Sequence, residues 1–133
     1  NQIDCDCAIV LEGTSANDLG DVPEHLRVCS VGKGVAISFM DRTSIAHPAL
    51  NHALRDLADK NGIPWQVKTF VSGGNDAGAI QTARGALPVC VLSVPCRNIH
   101  SHASVANVID IDAQYELARA FLNQNAKIGG QRG

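Results

Sequence analysis

Two polar segments of this 133-residue chain carry residue types that can do chemistry. One is the glycine-rich turn at residues 72–77, and the other is the histidine segment at residues 97–102. Imidazole serves as a metal ligand or as an acid/base group near neutral pH, so the histidine segment is the stronger indication. Each segment follows an apolar run, residues 65–71 and 89–94. Such runs predict buried parallel strands, and ligands collect where those strands end in an open α/β sheet.

A carboxylate and a histidine are the candidate metal ligands. Glu12 closes the first apolar strand, residues 7–11, at the carboxyl end, where a hard oxygen ligand can reach a site built from loops. His100 lies past the end of a different strand, and His102 could add a second nitrogen. The alternatives are a solvated acid at a strand end and a loop histidine that hydrogen-bonds to backbone.

The other candidates are substrate contacts. Asp41 follows the second strand, with a salt bridge to Arg42 or a helix-leading acid as the alternatives. In the glycine turn, Gly74 allows close backbone approach to a ligand, and the helix that starts at Asn75 and Asp76 offers free N–H groups to an anion. The alternative is a plain strand-to-helix connection capped by asparagine. Neither a GxGxxG nor a GxxxxGK[ST] pattern is present, so the turn is not a nucleotide fingerprint.

Hydrophobic periodicity predicts the elements that position these residues, in the order strand, strand, helix, strand, helix, strand, helix. The strands are expected at residues 7–11, 35–39, 65–71 and 89–94, and the helices at 48–61, at 76–84 closed by Gly85, and from a cap at Asp110 or Asp112 onwards. The last helix carries one broad apolar stripe, which fits packing within the domain or at a subunit contact. The order predicts an α/β fold, half of a three-layer α/β/α sandwich whose sheet edges a complete domain would cover.

Composition limits the classes of function. A net charge of −2 with no Lys/Arg cluster argues against nucleic acid as a partner, and apolar runs shorter than ten residues predict no membrane span. The five cysteines form no CxxC pair and are interpreted as reduced, which predicts a cytoplasmic protein. Cys96, beside the histidine segment, is the alternative candidate for thiol chemistry. The chain opens at Asn1 without a signal peptide or Met, which suggests a processed, truncated or incomplete product.

Four blocks of sequence, taken together, resemble one known family. They are Ala-Ile-Val-Leu-Glu-Gly-Thr at 8–14, the stretch from Gly-Lys-Gly at 32–34 to Met-Asp-Arg at 40–42, Gly-Gly-Asn-Asp-Ala-Gly-Ala-Ile at 73–80, and the stretch from Pro88 to Pro-Cys-Arg-Asn-Ile-His-Ser at 95–101. Their order and spacing resemble the C-terminal portion of a TET-type (glutamyl or deblocking) aminopeptidase, a cytosolic dinuclear metallopeptidase with relatives labelled endoglucanases. The resemblance covers nearly the whole chain.

The resemblance implies a catalytic α/β/α sandwich interrupted by a small β-rich domain, and assembly into hollow homo-oligomeric dodecamers. It implies two divalent metals per site, zinc or cobalt, with Glu12 as a ligand to one and His100 as the ligand to the other. Substrate contacts are expected at Asp41, Gly74, Asn75, Asp76 and Arg97. The family's His-x-Asp motif, bridging aspartate and Glu-Glu pair have no counterpart here, so the general-base glutamate is expected upstream of Asn1. Residues 101–104 also differ from the family's usual Ser-Pro-Val-Glu.

These observations predict that residues 1–125 are the C-terminal part of a metal-dependent aminopeptidase domain and that residues 126–133 are a flexible tail. The N-terminal half and the inserted β domain are absent, so the 133-residue chain alone is expected to be inactive. The missing N-terminal portion is then a partner in activity, and a peptide is the substrate. The alternative is a non-catalytic binding or assembly module that keeps the half-sandwich. A glycan hydrolase is a third candidate, for which no carboxylate pair can be identified.

Overall fold

The computed structural model describes residues 3, 5–71, 73–83 and 87–129 of the chain. The described elements are β1 (Ala8–Ser15), a short 3₁₀ turn (Glu24–Leu26), β2 (Val35–Ser38), α1 (Pro48–Asn61), β3 (Trp65–Lys68), α2 (Asp76–Ala83), β4 (Val89–Arg97), β5 (Val105–Ala106) and α3 (Val108–Gly129). Among these described helices, none is long and apolar enough to cross a membrane. The predicted order of strands and helices is confirmed, with β5 added.

The sheet is mixed, with the strand order β1-β4-β2-β3 and with β5 paired to the far end of β4. β1 runs parallel to β4 and β2 runs parallel to β3, but β2 is antiparallel to β4. The expectation of all-parallel strands was therefore wrong. The carboxyl ends of β3 and β4 lie at opposite ends of the sheet. A strand covered on both faces has a continuous apolar sequence in either direction, so composition could not reveal this reversal.

Helices cover both faces of the sheet, which confirms the α/β/α architecture. On one face, Leu54 of α1 and Leu117 of α3 pack with Ile37 and Leu92 in a core whose side chains are fully buried. On the other face, Ala77 of α2 packs against the apolar ends of β1 and β4. Because Glu12 is level with Ser93 and Ala36 in the strand register, these three side chains lie on the α2 face.

Two strands are longer than predicted. β1 continues to Ser15, so Glu12 lies in the middle of the strand and does not close it. β4 continues through Pro95 to Arg97, although proline was expected to end it. Pro95 is opposite Thr14 of β1, at a point beyond the antiparallel pairing with β2, and the chain then reaches β5. Proline is tolerated where a strand has a free side, so β4 continues past Pro95, and β1 pairs with it beyond Glu12.

The helix ends follow local capping rules. α1 ends at Gly62, which has φ 64° as expected for a left-handed cap, and Asn75 caps α2 by accepting a 2.8 Å hydrogen bond from the Ala77 N–H. The predicted end of α2 at Arg84 and Gly85 lies outside the described residues. Asn107 caps α3 by accepting from the Ile109 N–H at 2.9 Å, so the predicted cap at Asp110 or Asp112 was wrong. α3 ends at Gly129, and residues 130–133 of the predicted tail lie outside the described part.

Asp110 instead fixes the glycine loop that precedes β2. Its buried carboxylate accepts 2.7 Å hydrogen bonds from the N–H groups of Gly32 and Gly34, one on each oxygen. Asp110→Asn is expected to lower the free energy of unfolding by about 2–3 kcal/mol, because one amide N–H would then face the asparagine NH₂ group. Urea denaturation measures the change, with exposed Asp112→Asn as the control. Equal stability of the two variants would contradict this account.

Candidate metal and substrate site

Glu12 is the centre of a polar patch on the α2 face of the sheet. Its Oε1 atom accepts hydrogen bonds from the Asn75 amide at 3.2 Å and from the Ser93 hydroxyl at 3.3 Å. Ser93 is fully buried in β4, directly beside Glu12 in β1. The carboxylate is therefore held in place by two donors from different elements, as expected for a side chain that must present an oxygen in a fixed direction.

Asn75 links Glu12 to Asp41. The Asn75 Nδ2 atom donates to Asp41 Oδ2 at 2.5 Å as well as to Glu12, and its carbonyl oxygen caps α2. Asp41 is buried and also accepts bonds from the backbone and hydroxyl groups of Thr43 and Ser44. Neither predicted alternative for Asp41, a salt bridge to Arg42 or a helix-leading acid, is what the structure shows. The carboxylate organises a tight turn and orients Asn75.

Close packing explains Gly74 of the predicted ligand loop and Gly78, which follows it in α2. A Cβ atom at Gly74 would lie 2.7 Å from the Thr43 Cγ2 atom, and one at Gly78 would lie 2.6 Å from Thr43 Cβ. The two glycines are four residues apart and let this segment contact the turn that Asp41 organises. The exposed Asp76 begins α2, where a negative charge interacts favourably with the helix dipole. Gly74 therefore serves the contact that fixes Asn75.

The electrostatics of the patch are balanced around Glu12. Burial raises the pKa of Glu12, and the negative charge of Asp41 acts in the same direction, whereas the Lys68 cation and the bonds from Ser93 and Asn75 oppose the rise. Lys68 extends from β3 and is only 2% exposed. For Asp41, burial also disfavours the charged form, but its hydrogen bonds to Thr43 and Ser44 outweigh it, so the pKa of Asp41 is lowered. Lys68 and the carboxyl groups of Glu12 and Asp41 thus share one largely buried region.

His100 lies on an exposed turn after β4 and has φ 65°, in the left-handed region. Asn98, two residues earlier, has φ 55°. A non-glycine residue in this region costs about 1 kcal/mol or more, and asparagine tolerates it better than histidine. Such strained residues cluster at functional sites, so the turn geometry supports a functional hypothesis for His100. The neighbouring His102 is also exposed.

Glu12 lies in the middle of β1, whereas His100 lies on the turn beyond the carboxyl end of the neighbouring parallel strand β4. β1 and β4 run parallel, and Glu12 is opposite Ser93, four residues before β4 ends at Arg97. That distance is about 13 Å along the strand, and the turn follows it. Within the described ranges, no three His, Cys, Asp or Glu side chains converge on one point.

The donor types fit zinc or cobalt, since a carboxylate oxygen and an imidazole nitrogen both bind these ions. A catalytic zinc normally takes three protein ligands, however. Glu12 and His100 would therefore form only part of a coordination sphere, and a metal bound there would need further ligands from outside the described residues.

Arg97 is held in place by an ion pair. Its guanidinium donates to both oxygens of Asp18, at 2.7 and 2.9 Å, and Asp18 also accepts from the Val31 N–H at 2.9 Å. The Asp18 side chain is 5% exposed and the Arg97 side chain 34%. The pair ties the end of β4, just before the histidine turn, to the loop between β1 and β2.

This ion pair predicts a pH dependence of stability. Hydrogen bonding to Arg97 lowers the pKa of Asp18 despite the opposing effect of burial. The stabilisation is therefore complete above the unfolded pKa of about 3.9 and is lost as the pH falls below it. Asp18→Asn is expected to cost about 1–2 kcal/mol at pH 7 and progressively less below pH 4. Urea denaturation from pH 7 to pH 3 measures this, and a cost that does not change with pH would contradict it.

Sequence reasoning did not identify several residues of the patch. Ser93 and Lys68 hold or face Glu12, Asp18 holds Arg97, and the Gln114 amide of α3 donates to the Glu12 and Leu92 carbonyls at 2.9 and 2.8 Å. A usable signal existed for Ser93, which is the single hydroxyl residue within the apolar run at residues 89–94, and for Lys68, a charged residue within the apolar run at residues 65–71. Asp18 and Gln114 lie in ordinary polar contexts, and only the packing shows their roles.

The cysteines do not support thiol chemistry. All five are free, and Cys90 is a buried member of the apolar core, as expected. Burial, and then the charge of Asp110, raises the pKa of Cys96, which disfavours the thiolate that thiol chemistry needs.

Comparison with known proteins places this geometry in a family. The chain matches the M42 glutamyl aminopeptidase family over residues 1–117. It is 35% identical over 113 residues to a protein of Acetivibrio thermocellus named as a candidate aminopeptidase, covering 84% of this chain and 33% of that protein. It is 32% identical over 126 residues to the lysyl aminopeptidase of Pyrococcus furiosus, covering 92% of this chain and 34% of that enzyme.

A solved structure shows the same fold. Aminopeptidase APDkam598 from Desulfurococcus kamchatkensis superimposes with a TM-score of 0.84 at 31% identity, over 87% of this chain and 33% of that one. The chain spans about one third of the length of the relatives it matches. The fold, the four sequence blocks and the family match agree along most of the chain, which therefore belongs to the M42 glutamyl aminopeptidase family.

Proposed function

We propose that this chain supplies Glu12 and His100 as metal ligands to an aminopeptidase that removes N-terminal residues from peptides. The observation that carries this proposal is the half-buried Glu12 carboxylate, oriented by Asn75 and Ser93, in a chain of the M42 family. A carboxylate that only needed solvation would not require two donors from separate elements. His100, on its strained turn beyond the carboxyl end of β4, is the proposed nitrogen ligand of the second ion.

Zinc or cobalt, when bound, would polarise the scissile carbonyl and lower the pKa of a water molecule. The residues of this chain do the positioning. Ser93 and Asn75 fix the direction of the Glu12 oxygen, and Asp41 fixes Asn75 in turn. Outer hydrogen bonds of this kind typically contribute 10- to 100-fold to metal affinity or activity. The general-base glutamate has no proposed counterpart in this chain.

The proposed substrate contacts divide into two groups. Asp76, exposed at the start of α2, and Arg97, partly exposed before the histidine turn, can reach a peptide. Asp41, Gly74 and Asn75 are assigned to holding the site, because Asp41 is buried and the other two are engaged with Thr43 and Glu12. Which N-terminal residue is preferred would then depend on the loop that carries Asp76 and on parts of the enzyme outside this chain.

The assembled enzyme is proposed to be a cytoplasmic homo-oligomer. The relative PhTET1-12s is a dodecamer and superimposes with a TM-score of 0.72 at 27% identity. Five free thiols fit a reducing compartment.

The test is release of N-terminal residues from aminoacyl p-nitroanilides, with and without added zinc or cobalt. The 133-residue chain alone is expected to be inactive, because a full ligand set and a base are not among its described residues. The chain joined to the remaining two thirds of an M42 subunit is expected to show metal-stimulated release. Activity of the isolated chain would overturn the proposal that the ligand set and the general base are completed from outside this chain. A joined, folded but inactive preparation would favour the non-catalytic assembly module.

The variant His100→Asn distinguishes two roles for His100, a metal ligand held in a strained conformation and a residue that only stabilises the turn. Asparagine adopts the φ of 65° more easily, so the variant is expected to be equally stable or more stable by up to about 1 kcal/mol. Metal-stimulated activity is expected to fall, because the amide is a poor replacement for imidazole. Urea denaturation and the aminopeptidase assay measure the two effects, with exposed His102→Asn as the control. Lower stability of His100→Asn than of the control would contradict the strain account.

A further inference from the structure

The loop that carries His100 is closed around a single backbone oxygen. This loop, residues 98–104, joins β4 to the antiparallel strand β5 and forms a hairpin with them. The Asn98 carbonyl accepts hydrogen bonds from the Ser101 N–H at 3.2 Å and from the hydroxyls of Ser101 and Ser104 at 2.7 and 3.0 Å. A carbonyl oxygen has two lone pairs, so three converging donors use its full accepting capacity. The two ends of the loop are thereby tied together.

The Asp18 carboxylate holds the base of the same hairpin from outside. Arg97, the last residue of β4, comes directly before Asn98 and donates to both oxygens of Asp18. A bidentate pair between a guanidinium and a carboxylate fixes orientation as well as distance. The Asp18 side chain is 5% exposed and also accepts from the Val31 N–H, so it is itself held firmly. The hairpin is therefore oriented by a residue that lies about eighty positions away in the sequence.

His100 lies between these two fixed points. Its neighbour Ile99 is half-buried, and the Ile99 Cδ1 atom would lie only 3.4 Å from a Cβ atom at Gly13, so the turn also contacts the backbone of β1. Within the described part of the chain, no hydrogen bond or ion pair engages the exposed His100 imidazole. A residue with a φ of 65° keeps that conformation only where its surroundings over-determine it. The neighbours of His100 supply that constraint and leave the ring itself open to a ligand.

We propose that Asp18 and Ser104 are positioning residues that hold the His100 turn in the conformation that presents its imidazole to a metal ion. Asp18 fixes the base of the hairpin through Arg97, and Ser104 closes the loop through the Asn98 carbonyl. The inference rests on the proposed function, in which His100 is a ligand. A ligand residue that is already ordered loses less conformational entropy when the metal binds, and its affinity for the ion is higher for that reason.

The first measurement is the backbone order of His100 in the 133-residue chain by NMR relaxation. Asp18→Asn and Ser104→Ala are each expected to lower the order parameter of the His100 amide from about 0.85, typical of rigid backbone, towards about 0.6. Ser104→Thr keeps the hydroxyl at an exposed position and is expected to retain the order. Gly20→Ala is the control, because it lies in the same loop as Asp18 and strains only its own backbone, with no atom within 4 Å of its Cβ position.

The second measurement is zinc binding and activity of the chain joined to the remaining two thirds of an M42 subunit. Asp18→Asn is expected to weaken binding of the ion at His100 by roughly 10- to 100-fold, as loss of an orienting partner does. Ser104→Ala is expected to weaken it about 5-fold, the effect of one neutral hydrogen bond. Activity lost at low zinc is expected to return at saturating zinc, because the imidazole is intact. Gly20→Ala is expected to bind zinc as the wild type does.

Two results would overturn the positioning role. One is unchanged order at His100 in both Asp18→Asn and Ser104→Ala, and the other is a loosened turn with the same zinc affinity as Gly20→Ala. The variant His100→Asn tests the proposed function separately. If it bound zinc as the wild type does, His100 would not be a ligand, and a turn loosened in the two variants would still support its anchoring by Asp18 and Ser104.

Discussion

Replacing Glu12 by glutamine is expected to abolish metal-stimulated peptidase activity while leaving the fold intact. Glutamine keeps the Oε1 acceptor for Ser93 and Asn75, so both hydrogen bonds can remain. It removes the charge that a divalent metal requires, and the activity of the joined enzyme is expected to fall on the order of 10³-fold, which corresponds to about 4 kcal/mol of transition-state stabilisation. Aminopeptidase rates with added zinc or cobalt measure this.

Stability without metal gives an independent readout for the same variant. Burial raises the pKa of Glu12 above its ordinary value, so ionisation of this group costs more in the folded state than in the unfolded chain. The wild type therefore loses stability as the pH rises through the unfolded pKa of about 4.3 towards the folded value, and the variant does not. Glu12→Gln is expected to be at least as stable as wild type at pH 7.

Glu24→Gln is the matched control for both measurements, because Glu24 is an exposed glutamate on the 3₁₀ turn between β1 and β2. It is expected to change neither activity nor stability. A Glu12→Gln enzyme that retained wild-type metal stimulation would remove Glu12 from the site. A large loss of stability at pH 7 would instead assign the carboxylate a structural role.

Gly34→Ala is expected to have the largest effect on folding, a loss of about 4 kcal/mol or more. Gly34 has φ 91°, and a Cβ atom there would collide with the carbonyl group of Pro64, which is backbone and cannot rotate away. The two costs, a left-handed conformation and overpacking, add at one position. The N–H and C=O of Gly34 also bond Asp110 and Gln66, so the loop cannot shift without breaking those contacts.

Gly20→Ala isolates the first of these costs, the left-handed backbone conformation. Gly20 has φ 60°, but no atom lies within 4 Å of the position its Cβ would take. Its substitution is expected to cost only about 1 kcal/mol, from the backbone conformation alone. Circular dichroism during urea denaturation compares the two variants. Similar losses would show that the contact with Pro64 is relieved by movement of the chain.

The element types could be read from the sequence because they depend on local patterns. Pro48 and Gly62 bracket α1 as the capping rules require, and Asn75 caps α2 through its own side chain. Glu12, Asn75 and His100 were all named from motif and position, and the structure joins the first two directly. Element boundaries were less predictable. Pro95 and Glu12 are residues that commonly end strands, yet pairing between β1 and β4 extends past both.

The pairing of elements and the partners of each polar group came only from the folded structure. An apolar strand has the same composition whether its neighbour is parallel or antiparallel, so the reversal between β2 and β4 left no trace in the sequence. Asp110 appeared suited to cap a helix but binds Gly32 and Gly34, more than seventy residues away. Local patterns depend on a residue and its near neighbours along the chain. The surroundings of Glu12 depend on contacts between distant segments, which are decided by how the sheet and its helices pack.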